Sequence, residues 1–126
     1  MPSMETLERF IAKVESNAHD AAIEEFYTAN ASMQENQSAP TVGREQLIAG
    51  ERKVMAKAKA LHSRCVRPAL QSGDTVVIRW LFKIEWLDGS VTDLEEIAHQ
   101  RWEGDRIAQE TFFYDPAQRV PLDKRV

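Results

Sequence analysis

The chain of 126 residues is poor in several things, and each shortage excludes something. Cys65 is its single cysteine, so no internal disulfide can form and a cysteine-based zinc cluster is ruled out. One lone thiol fits the reducing cytosol, and the reading expects a cytoplasmic protein. Basic residues are not in excess: the net charge is −4, the pI is near 5.4, and lysines and arginines are scattered. A nucleic-acid binder would want a basic patch, so none is expected as a partner. Long apolar runs are missing too. The longest, around "TVVIRWLF", is far too short to span a bilayer, and "MPSMETLERF" lacks the basic-then-apolar order of a signal peptide. No membrane partner is expected. Gly-rich phosphate loops and nucleophile elbows are absent, and His19, His62 and His99 stand too far apart for recognised metal-ligand spacing. Neither cofactor nor metal is therefore expected.

What remains is one domain over 1–126, with 116–126 as a C-terminal tail. Met4, Leu7, Phe10, Ile11 and Val14 recur at helical spacing after Ser3, a suitable N-cap. Ala22, Ile23 and Phe26 form the stripe of a shorter helix. Residues 29–36 read as a short extended piece, and 44–60 return to a helical pattern. The period then becomes two. Strands are predicted over 61–71, 75–87, 91–102 and 106–115, with turns at Ser72-Gly73-Asp74, Asp88-Gly89 and Gly104-Asp105. Helices followed by an antiparallel meander define an α+β fold.

In 75–87 the even positions Val76, Ile78, Trp80, Phe82, Ile84 and Trp86 are all apolar, so that face should be inside. A two-residue turn at Asp88-Gly89 sets Trp80 opposite Ile97. Another at Gly104-Asp105 sets His99 opposite Glu110, on one face with Phe112 and Tyr114. If the second turn is longer by one, Gln100 and Trp102 join Glu110 and His99 points away, because a one-residue slip flips a strand.

Four motifs, "FYTANASMQEN" (26–36), "GREQL" (43–47), "GDTVVIRW" (73–80) and "RWEGDRI" (101–107) followed by "FYD" (113–115), together resemble the nuclear-transport-factor-2-like superfamily. It includes SnoaL-like polyketide cyclases and ketosteroid isomerase. The resemblance implies three N-terminal helices closing over the concave face of a curved, mainly antiparallel sheet: a cystatin-like cone with a pocket inside, commonly paired as a homodimer. It implies pocket walls at Phe10, Met33, Trp80, Phe82 and Phe112. The isomerase's general base matches Glu35. Its oxyanion tyrosine falls at Phe10, which has no hydroxyl, and its second donor at Ala98 or His99. Limonene epoxide hydrolase's arginine could match Arg79, but Leu81 and Phe112 stand near its aspartates.

The expected catalytic set is Glu35, Glu110, His99 and Tyr114. A carboxylate in an apolar pocket gains proton affinity and becomes a base near neutral pH. Against this stand a solvated Glu35, a structurally paired Glu110 and a satisfied structural His99. The function expected is binding of a small apolar or aromatic ligand, with cofactor-free isomerase or cyclase chemistry; the alternative is a non-catalytic ligand-binding or dimerisation module. Fold alone does not decide between them.

Overall fold

A computed structural model describes residues 1–124; the last part of the expected tail, 125–126, lies outside the described residues. Helix α1 spans Met4–Glu15. The Ser3 hydroxyl accepts the Thr6 amide at 3.0 Å, satisfying one of the helix's orphan donors. Leu7, Phe10, Ile11 and Val14 are buried, and Asn17 (φ 70°) turns the chain into α2, His19–Phe26. Strand β1 (Tyr27–Glu35) follows directly, then a short β2 (Thr41–Val42) and α3 (Arg44–Lys57). The long strands are β3 (Ala58–Ser72), β4 (Thr75–Trp86), β5 (Val91–Glu103) and β6 (Arg106–Phe113).

These strands form one six-stranded sheet in the order β2-β1-β6-β5-β4-β3, antiparallel except where β1 runs parallel to β6. The three helices pack on one face, giving the α+β cone. Phe10 sits at the centre, with edge-on contacts to Phe26, Trp80 and Trp102. Burying such a ring stabilises the fold by roughly 1.5–3 kcal/mol. The expected tail is structured in part: Pro116–Arg119 and Leu122–Lys124 are short 3-10 turns, the first capped by Asp115.

Two local features correct the expected register. The β4–β5 connection is a three-residue loop, Leu87-Asp88-Gly89, closed by the Trp86 amide on the Ser90 carbonyl at 2.9 Å. The Asp88 carboxylate accepts the Ser90 amide, and Gly89 takes the positive φ (87°) that such a loop needs. Trp80 therefore faces Glu96, not Ile97. At the other end, Gly104-Asp105 is the two-residue turn expected, with Glu103 opposite Arg106. A bulge at Ile107-Ala108 then puts both residues inside and moves the pairing on by one. Glu110 consequently faces Gln100, and His99 faces Thr111. The slip about β5 turns Thr92, Leu94, Glu96, Ala98, Gln100 and Trp102 inward, and His99 lies exposed on the outer face.

Candidate functional site

Beneath the helices the cone holds a half-open cavity of about 130 Å³. An apolar cavity of roughly this size accepts a benzene-sized molecule, so the space suits a single-ring compound. All five residues expected as pocket walls, Phe10, Met33, Trp80, Phe82 and Phe112, line it. Trp80 and Phe82 stack at 5.5 Å with their planes 20° apart.

Glu110 is fully buried at the cavity wall, and both of its oxygens are held. The Tyr27 hydroxyl donates to one, and the Gln100 amide donates to the other at 2.6 Å. The Trp102 indole N–H donates in turn to the Gln100 carbonyl at 2.9 Å. Trp102, Gln100, Glu110 and Tyr27 thus form one buried polar chain. Loss of hydration pushes the Glu110 carboxyl up to about 7, against the two donors that favour its charged form; Glu51 adds to the rise. The Tyr27 hydroxyl is driven well above its ordinary range by burial and by the adjacent Glu110.

Glu96, on β5, is 6% exposed and lines the same cavity. It has no hydrogen-bond partner among the described residues. Burial, with Glu110 and Glu51 as like-charged neighbours, raises its carboxyl to about 7. His19, at the start of α2, also faces the cavity, edge-on to Phe82 at 5.3 Å. The Ser63 hydroxyl donates to the Asn17 side chain, so its oxygen accepts from His19 Nε2–H at 2.8 Å. That leaves His19 Nδ1 towards Glu51, 3.8 Å away. His19 is therefore partly buried.

The structure brings only part of the expected set together. Glu110 is in the cavity wall. Glu35 stands at its rim, half-exposed and ion-paired with Arg119. Tyr114 is not on the wall: β6 ends at Phe113, and the Tyr114 hydroxyl accepts from Arg119 Nε at 2.8 Å while the guanidinium covers its ring. His99 is turned to the outer face by the extra residue in the β4–β5 loop. Sequence reasoning missed Glu96, Tyr27, His19 and Glu51, and placed Gln100 beside Glu110 only in its alternative register. The signal for Glu96 and Gln100 was β5 itself, whose odd positions carry Asp93, Glu95, Arg101 and Glu103 and so mark the water-facing side. Among the described residues, no three His, Cys, Asp or Glu side chains are grouped to hold a metal ion, and no helix is long and apolar enough to cross a membrane.

A helix-covered cone with acids in an apolar cavity defines a class of small α+β pocket proteins. Within that class, the model of the SnoaL-like domain matches residues 7–110, and the chain belongs to that family. Solved structures agree on the fold. A protein with ketosteroid isomerase-like fold from Catenulispora acidiphila, in complex with trimethylamine, is 18% identical; 92% of this chain and 89% of that one are covered, with a TM-score of 0.75. A cystatin-fold protein from Novosphingobium aromaticivorans is 23% identical, covering 89% and 97%, with a TM-score of 0.74. TerC, co-crystallised with polyporic acid, is 12% identical, covering 89% and 90%, with a TM-score of 0.72. No curated protein matches the sequence.

Proposed function

We propose that the chain is an acid–base enzyme acting on a small, mainly apolar, ring-sized compound, with Glu96 as the proton carrier. The observation that supports this is a pair of buried carboxyls on one aromatic-walled cavity, of which Glu96 alone is unpartnered. Glu110 is tied down by Tyr27 and Gln100, a suitable arrangement for orienting a substrate oxygen or sharing a proton with it. Glu96 is free to take a proton and return it, and a carboxyl poised near 7 does so best at neutral pH. Glu35 is the weaker choice for the base because Arg119 already occupies it. Trimethylamine and polyporic acid in the related structures support small molecules as the ligands of such a cone.

The reaction class is tested by exchange of α-protons into D2O, followed by NMR, for a panel of single-ring ketones both neutral and amine-bearing. Wild type should accelerate exchange for at least one member. Glu96→Gln should lose that acceleration by about 10²–10⁴-fold, the usual contribution of a positioned base. An unchanged rate in Glu96→Gln would remove Glu96 from the mechanism.

We further propose a homodimer through the outer sheet face. There Ile97 and Phe113 are cross-strand neighbours, 37% and 43% exposed, and Leu70, on β3 two strands away, is 60% exposed. Light scattering at micromolar concentration should give twice the 14.4 kDa chain mass. A monomer mass would refute the pairing.

A further inference from the structure

We infer that the compound the cavity selects is a small organic cation, an amine in its protonated form or a quaternary ammonium. This rests on the reading of the cavity as the ligand site and names the chemistry of that ligand. The charge lining this half-open cavity is unbalanced. Three carboxylates from three elements face the cavity: Glu51 from α3, Glu96 from β5 and Glu110 from β6. The one arginine on its wall, Arg119, is spent at the rim on Glu35. Of the two histidines, His62 is half-exposed and bound to Glu85, and His19 reaches Glu51 only at 3.8 Å.

The remaining wall favours the same sign of charge. Phe10, Trp80, Phe82 and Phe112 present aromatic rings, which attract a cation over their faces. Glu96 supplies an independent pointer to a ligand. It is more than nine-tenths buried, opens onto the cavity and has no hydrogen-bond partner among the described residues. A buried polar group in that condition is expected to find its partner in something that enters. A metal ion is the poorer occupant, since the described acids are not grouped closely enough to chelate one. A compact ammonium ion needs no such grouping and fits about 130 Å³.

Charge also sets the sign of the pH effect. The titratable groups facing Glu96 are Glu110, Glu51, Tyr27, Tyr114 and His19, with the Arg119–Glu35 and His62–Glu85 pairs at the rim. A bound cation favours the ionised carboxylates, so binding releases protons and strengthens as pH rises from 6 to 8.

Choline and its uncharged isostere 3,3-dimethylbutan-1-ol are the probes, titrated into the full chain by calorimetry at pH 6 and pH 8. Choline should bind at least tenfold more tightly than the alcohol at pH 8, and more tightly at pH 8 than at pH 6. Glu96→Gln, with unchanged circular dichroism, should erase most of that preference. Equal binding of the two probes, or a preference for the alcohol, would overturn the cation inference and leave the cavity standing as a ligand site. Binding of neither would overturn both. A preference for choline that survives intact in Glu96→Gln would overturn the role given to Glu96.

Discussion

Replacing Gln100 with Leu is expected to destabilise the protein by roughly 3–5 kcal/mol, a large loss for a substitution of similar volume. The side chain is fully buried and serves two partners at once. Its amide donates to Glu110, and its carbonyl accepts the Trp102 indole. Leucine leaves a carboxylate oxygen and an indole N–H unsatisfied in the core, and each such orphan costs about 1–3 kcal/mol. The partners separate the two costs. Adding Trp102→Phe to Gln100→Leu removes the orphaned N–H, so the double variant should recover part of what an additive sum would lose. Urea unfolding of the four proteins measures the cycle. A single-variant loss below about 1 kcal/mol would mean that water reaches this chain of side chains and that it does not hold Glu110 in place.

This polar chain was half-legible in the sequence, and the half that was missed has a definite cause. The even-numbered face of β4 announced itself, because Val76, Ile78, Trp80 and Ile84 are all apolar and all buried. The α1 stripe and its Ser3 cap were equally readable, since they depend on neighbours three and four residues apart. Register depended instead on one residue of loop and one residue of bulge. Asp88-Gly89 reads as a two-residue turn, yet the Asp88–Ser90 bonds close a three-residue one. Nothing in "RIAQE" marks Ala108 as an extra inward residue, for alanine is at home on either face. The extra loop residue exchanged Ile97 and His99 for Glu96, Ala98 and Gln100 on the inner face, and the bulge kept Glu110 on that face beside Gln100. Tyr27 was hidden for another reason. It sits where α2 passes directly into β1, at a change of period, and its partner Glu110 is 83 residues away.

The stability of the protein should fall as pH rises from about 4.5 to about 7, the reverse of ordinary acid denaturation. Glu96 and Glu110 carry carboxyls raised to about 7 in the fold, against an ordinary value of 4.5. Between those two values the folded chain keeps protons that the unfolded chain has released. Stability then decreases with pH in that window and levels off above it, by about 3 kcal/mol for one such group at 1.36 kcal/mol per pH unit. The coupled pair should lose less than twice that, because part of each rise is like-charge repulsion. Glu8, Glu85, Asp88 and Asp20 are shifted the other way, by Arg67, by His62, by Ser90, and for Asp20 by backbone and Arg52 hydrogen bonds that outweigh its slight burial. Their contribution is lost only as pH falls below the usual carboxylate range, so it does not overlap the window of interest. Comparing wild type with Glu96→Gln cancels it in any case. The two proteins should be of similar stability at pH 5, and the variant should be the more stable by about 2–3 kcal/mol at pH 8, where it no longer buries that charge. Thermal or urea melts at the two pH values provide the measurement. Parallel behaviour across the range would show Glu96 to be an ordinary solvated acid, and the proton carrier proposed for this cavity would have to be sought elsewhere.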